Sequence, residues 1–141
     1  MIVLYRGGVG IMNKKGVTYE YHHMGIPVTK EMPGEKYSES FDMWTTHGHN
    51  PFRIQYHRFG PKCSLHALVQ TVPHVAFKVN SIEKAIEGEH VLLEPYEPIV
   101  DFRVAMIEVD GAPVELIETS LTEDAIWKGD HRGSVIYPDK D

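Results

Sequence analysis

The sequence has little to cross-link it, no long apolar run to anchor it, and too little positive charge to hold a polyanion. Cys63 is the sole cysteine in 141 residues. No disulfide can form within the chain, which excludes a disulfide-stapled extracellular scaffold and makes the reducing cytoplasm the expected compartment. The opening apolar run, Ile2 to Tyr5, is far shorter than a signal-peptide core or a membrane span. Fourteen Lys and Arg face 20 Asp and Glu, for a net charge of −6 with histidines neutral. That balance argues against nucleic acid or an anionic membrane as a partner. Also missing are a P-loop, Cys-x-x-Cys, His-Glu-x-x-His and Gly-x-Ser-x-Gly. Gly7-Gly8-Val9-Gly10 lacks the spacing and preceding strand of a dinucleotide loop.

What is present is an ordinary apolar fraction, 42%, and nine histidines. The first supports one globular domain with a real core. The second directs attention to metal and acid–base chemistry. The expected layout is a single domain over 1–141, with one half at about 17–60 and another at about 71–120. Residues 1–11 read as an extension, with Met12 an alternative start, and 121–141 as a polar tail anchored by Trp127 and Tyr137. Val17 to Val28, Tyr37 to Thr46 and Phe52 to Phe59 read as strands, separated by Pro33-Gly34 and Gly48 to Pro51 turns. Cys63 to Val72 fits a short helix or a strand. Val75 to Val79 is a strand, followed by a short helix with Asn80 as N-cap, Glu83 at the capping-box position and Gly88 at its end. His90 to Leu93 is a short strand. Phe102 to Val109 and Val114 to Ile117 form a hairpin around Asp110-Gly111.

The halves echo one another. His23-Met-Gly-Ile-Pro-Val28 and His74-Val-Ala-Phe-Lys-Val79 share the order His, apolar, small, apolar, variable, Val. Asn50 to Gln55 and Asp110 to Glu115 are the same turn-to-strand offset, which favours Gln55 over His57 as the counterpart of Glu115. His57 lies on the same strand face and stays open as the alternative. Strand parity adds to this. His74 shares a face with Ala76 and Lys78, and Gln55 with Arg53 and His57; the opposite faces are apolar. The metal-site candidates are therefore His23, Gln55, His74 and Glu115, on one sheet surface. His22 reads as an exposed neighbour of His23, and Phe52, Tyr56 and Phe77 as core. His47-Gly48-His49 opens like a cupin metal motif, but no Asp or Glu follows before Ile82, so it reads as loop decoration.

Two stretches, Pro73-His-Val-Ala-Phe-Lys-Val79 and Val104-Ala-Met-Ile-Glu-Val-Asp-Gly-Ala-Pro-Val-Glu-Leu-Ile-Glu118, give the chain a resemblance to the vicinal oxygen chelate superfamily. That group includes glyoxalase I, methylmalonyl-CoA epimerase, extradiol dioxygenases and bleomycin-resistance proteins. The resemblance spans roughly Tyr21 to Glu118. It implies an α+β fold of paired βαβββ modules curled around a cup, a metal ion inside the cup, and a homodimer. It places the ligands at His23, Gln55, His74 and Glu115. Only 22 residues separate Val28 from Pro51, so the first module's helix is expected to be reduced or missing.

Two imidazoles, a carboxylate and an amide suit one divalent ion among Zn²⁺, Ni²⁺, Co²⁺, Mn²⁺ and Fe²⁺. The His, Gln, His, Glu order resembles the epimerase branch. It implies enolisation and proton transfer on a small oxygenated substrate by an isomerase, epimerase or lyase. Glu115 would be ligand and base together, and Asp42 a second base. Arg53, Lys78 and His57 are the candidates for holding substrate. Without Gln55, His23, His74 and Glu115 make a 2-His-1-carboxylate set, which suits an Fe(II)-dependent extradiol-type dioxygenase. A non-catalytic, ligand-sequestering protein is the third possibility.

Overall fold

The structure, a computed structural model, describes residues 2–5, 8–12 and 15–128, and for 2–5, 8–12 and 128 the backbone alone. Tyr137 lies outside the described residues. The elements are β1 (Ile2–Tyr5), β2 (Gly8–Met12), β3 (Thr18–Val28), β4 (Lys36–Ser38), β5 (Met43–Thr45), β6 (Ile54–Phe59), α1 (Ala67–Thr71), β7 (His74–Val79), α2 (Ile82–Ile86), β8 (His90–Ile99), β9 (Phe102–Val109), β10 (Ala112–Thr119) and α3 (Glu123–Lys128).

Eight strands form one mixed sheet in the order β4-β5-β6-β3-β7-β10-β9-β8, and the β1–β2 hairpin adds to the start of β3. Each half lays its strands in the order first, fourth, third, second. β6 runs parallel to β3, β10 runs parallel to β7, and β3 and β7 are antiparallel at the centre. The two edges approach each other, with Phe41 beside the β4–β5 turn meeting Tyr96 of β8 at 5.7 Å between ring centres. The sheet is thus curled into a half-barrel with a concave and a convex face. No helix lies between β3 and β6, as the short spacing there predicts.

Alternation along the strands builds two apolar layers. On the convex side Val79, Ala105, Ile107 and Leu116 pack against Ile82 and Ala85 of α2. On the concave side Ala76, Phe102, Val104 and Ile117 pack against Ile126 of α3. Asp110 and Gly111, both at positive φ, turn β9 into β10 as the sequence predicts.

Several local expectations change. Ser81, not Asn80, caps α2 by accepting from the Lys84 N–H. Asn80 instead ties β7 to the start of β3, accepting from Thr18 N–H and donating to Gly16 O. Tyr37 to Thr46 is a tight hairpin, not one strand, with Asp42 at positive φ in its turn. Phe52 is 69% exposed rather than core, because Arg53 adopts positive φ and β6 begins only at Ile54.

Candidate metal centre

The site follows from register. Residues directly opposite each other on neighbouring strands share a face. His23 stands opposite Ala76, which stands opposite Glu115. Two residues along, Gln55 stands opposite Gly25, which stands opposite His74. The four candidates therefore occupy two adjacent rows of the concave face, and the smallest side chains, Ala76 and Gly25, lie between them. Gly25 is required to be small. A Cβ there would come within 2.1 Å of His74 Cε1 and 2.8 Å of His57 Nε2.

His23, His74 and Glu115 offer ligand atoms that all lie within 4.8 Å of one another. Glu115 bridges the two imidazoles, with Oε2 at 3.5 Å from His23 Nε2 and Oε1 at 3.3 Å from His74 Nε2. The second contact is not aligned as a hydrogen bond, so His74 Nε2 has no hydrogen-bond partner despite its burial. Donor atoms ~2.1 Å from one ion at tetrahedral angles stand ~3.4 Å apart. The spacing and the unbonded nitrogen both fit a divalent ion.

The charges fit as well. Burial lowers His23 to about 4, with the Glu115 charge opposing and His22 and His74 assisting. It therefore presents a lone pair at neutral pH. Burial alone would raise the Glu115 carboxyl, but the His23 and His74 imidazoles outweigh it and bring it to about 2. One buried carboxylate and two imidazoles form a group that can hold a metal ion.

His22 is the residue that strict alternation misplaces. A β-bulge between Tyr21 and His23 inserts one extra residue and turns both histidines inward. His22 is 5% exposed. Its Nδ1 lies 2.8 Å from His23 Nδ1, and its ring stacks on Trp127 of α3 at 5.2 Å. When His23 Nε2 presents its lone pair, the proton sits on Nδ1 and is donated to His22 Nδ1. His22 thereby fixes the tautomer and ring orientation of His23, as an outer partner does in metal sites. The sequence carries no signal for this, because alternation assigns consecutive residues to opposite faces and a bulge leaves no local pattern.

His57 is also inside. Its Nδ1 is 3.0 Å from Thr45 Oγ1, its ring lies 5.4 Å from that of His74, and its Nε2 is buried without a hydrogen-bond partner. Burial lowers it to about 3, with His74 and His23 assisting, so it is neutral at physiological pH. Gln55 is wholly buried and lines the same cavity.

The remaining candidates lie elsewhere. Asp42 does not line the cavity. Its Oδ1 accepts from the Tyr37 hydroxyl and its Oδ2 from the Lys62 N–H, and these bonds hold its pKa below the usual range. It locks the β4–β5 turn against Gly60, whose N–H donates to the Asp42 carbonyl. Arg53 sits 4.3 Å over the Trp127 ring, outside the lining. Lys78 stands opposite Glu20 and Ile117, also outside it. Burial is the main cause that disfavours the charged form of His22; Glu123 and Glu115 oppose it, and Lys78 and Arg53 assist it by less.

Above the cluster is a partly open cavity of about 250 Å³, walled on its far side by β8, β9 and α3. No helix among the described residues is long and apolar enough to cross a membrane. No protein-family model matches the chain, and no curated protein matches it either. The curled eight-strand mixed sheet with a His-His-Glu group on its concave face is compatible with a vicinal oxygen chelate fold.

Proposed function

We propose that this chain is a divalent-metal enzyme of the vicinal oxygen chelate type, promoting enolisation and proton transfer on a small oxygenated substrate as an isomerase, epimerase or lyase. The observation that carries this reading is the convergence of His23, His74 and Glu115 beneath a largely apolar cavity. His23 and His74 would hold the ion through Nε2 and Glu115 through carboxylate oxygen, with Gln55 beside them as a neutral fourth donor. When bound, the ion supplies a Lewis acid for a substrate oxygen.

His57 is the proton acceptor in this reading, in the role first considered for Asp42, whose carboxylate is committed to Tyr37 and Lys62. With Nδ1–H donated to Thr45 Oγ1, its Nε2 keeps a lone pair toward the cavity floor. The C–H bond beside a substrate carbonyl breaks, the proton goes to His57 Nε2, and the electron pair moves into an enolate. Return of the proton to the opposite face of that carbon, which requires the enolate to turn over within the cavity, gives an epimer. Return to a neighbouring atom gives an isomer. Phe59, Leu65 and Val69 keep bulk water away from the transferred proton.

The experiment is metal stoichiometry followed by isotope exchange. Protein purified and titrated with divalent ions should bind near one equivalent, and His74→Ala should not. The loaded protein should exchange an α-proton of its substrate with deuterated water. A chain that takes up no divalent ion ends the proposal. The second reading, an Fe(II)-dependent extradiol-type dioxygenase, draws on the tight group being two histidines and one carboxylate. Oxygen consumption strictly dependent on Fe(II), with no proton exchange, would select it.

A further inference from the structure

Above its floor the cavity has a composition that says what it can hold. Phe41, Phe59, Tyr96, Phe102 and Trp127 supply five aromatic walls, and the aliphatic lining includes Leu65 and Leu93. Among the described residues no Lys or Arg lines it. Arg53 and Lys78, both close enough to His22 to affect it, are outside the lining, Arg53 over the Trp127 ring and Lys78 on the sheet beside Ile117. The polar side chains above the floor, His47, His49 and Tyr96, carry no fixed charge and suit a hydroxyl or carbonyl. At about 250 Å³ the space falls below the ~300–1,000 Å³ of sites for drug-sized ligands. Away from the His23–His74–Glu115 floor, a phosphate or an extended nucleotide-bearing carrier would have to be buried without a counter-charge, at a high desolvation cost. Flat apolar rings, in contrast, gain area burial and edge or offset contacts with the aromatic walls.

From this we infer that the substrate is an uncharged, one- or two-ring molecule whose oxygen donors reach the His23–His74–Glu115 floor while its ring lies among Phe41, Phe59, Tyr96 and Phe102. The inference rests on the metal-enzyme reading for the direction of the oxygen donors, but the neutral, aromatic character of the cavity stands on its lining alone.

The test uses two probe pairs on the full chain. Metal-free protein is titrated with 2-naphthol and with 2-naphthyl phosphate, followed by calorimetry or ligand-observed NMR. Naphthol should bind at least about ten times more tightly, since the phosphate has no cation to meet. Co²⁺-loaded protein is titrated with benzohydroxamate and acetohydroxamate, followed by the visible spectrum. The phenyl ring should add roughly 10- to 100-fold in affinity. Leu65→Arg, a change at a half-buried position, should reverse the first preference by supplying the absent cation. The inference is overturned if naphthyl phosphate binds as well as naphthol, if neither binds, or if the two hydroxamates bind equally. Failure to take up Co²⁺ would remove the metal reading, and the naphthol pair would still decide the nature of the cavity.

Discussion

The two faces of this sheet are built from the same strands, and both bury apolar side chains, but only one of them also buries a cluster of polar groups. On the convex face Val79, Ile82, Ala85 and Leu116 are all but inaccessible and wholly apolar. On the concave face His22, His23, Gln55, His57 and His74 are buried just as deeply. Burying an apolar chain lowers the free energy of the fold by about 1.5–3 kcal/mol. Burying an imidazole nitrogen without a hydrogen-bond partner raises it by about 1–3 kcal/mol, and three such nitrogens, on His22, His57 and His74, lie on the concave side. The convex cluster thus supplies stability alone, while the concave face adds to its apolar layer around Ile126 a set of polar groups in an arrangement that the fold alone would not favour.

Four measurements can break or sharpen that contrast. The largest effect is expected at Gly25. Gly25→Ala places a Cβ in the position now faced by the His74 and His57 rings, so His74 must swing out. Divalent-metal uptake should be abolished while circular dichroism keeps its strand signature. Retained stoichiometric binding would show that the His74 ring can be displaced without leaving the site.

Leu116→Ala comes next, on the other face. It should lower the unfolding free energy by about 2–5 kcal/mol in urea, through lost burial and the cavity left behind, with metal affinity unchanged for the folded fraction. A parallel loss of metal affinity would mean that the two faces are not separable.

Between pH 7 and pH 4, acid should act chiefly through the concave face. His23 and His57 are lowered from 6.5 to about 4 and about 3 by burial, so the unfolded chain binds protons that the folded chain refuses. Metal-free stability is then complete above pH 6.5 and falls as the pH drops from 6.5 toward 4. For His23 the loss is about 3 kcal/mol. Glu115, also lowered, adds a loss of the same sign below about 4.5. Urea midpoints measured between pH 7 and pH 4 give the slope, and a flat profile would contradict the burial of neutral imidazoles.

The smallest effect is expected at His22. His22→Phe keeps the stack on Trp127 but removes the acceptor for His23 Nδ1–H. Metal affinity should fall roughly 10- to 100-fold, with a shifted Co²⁺ spectrum. His22→Gln, which retains an acceptor, should recover part of the loss.

Sequence reasoning reached the site by way of alternation, and failed where alternation fails. The placement of His23, His74, Gln55 and Glu115 on one surface follows from side-chain parity on β3, β6, β7 and β10, and the structure brings these residues together. Parity cannot show a bulge, so His22 read as exposed when the extra residue on β3 turns it inward. Nor can it show a turn at positive φ, and Asp42 and Arg53 both sit in one. Asp42 therefore points at Tyr37 and Lys62 rather than at the cavity. The choice of Ser81 over Asn80 as a cap was settled by a distant partner, since Asn80 is held by Gly16 and Thr18. Thr45 as the orienting group of His57 depends on β5 pairing with β6, a contact that no local pattern encodes.

The empty place of a side chain at Gly25 has a meaning on the scale of evolution. Any single-base change that gives this residue a Cβ displaces His74, yet touches none of the convex core that keeps the chain folded. The cavity and its aromatic walls would survive such a change. On the proposed reading, one substitution would separate a metal-dependent catalyst from a protein that only holds its ligand, and descendants of this chain could cross between the two without passing through an unfolded intermediate.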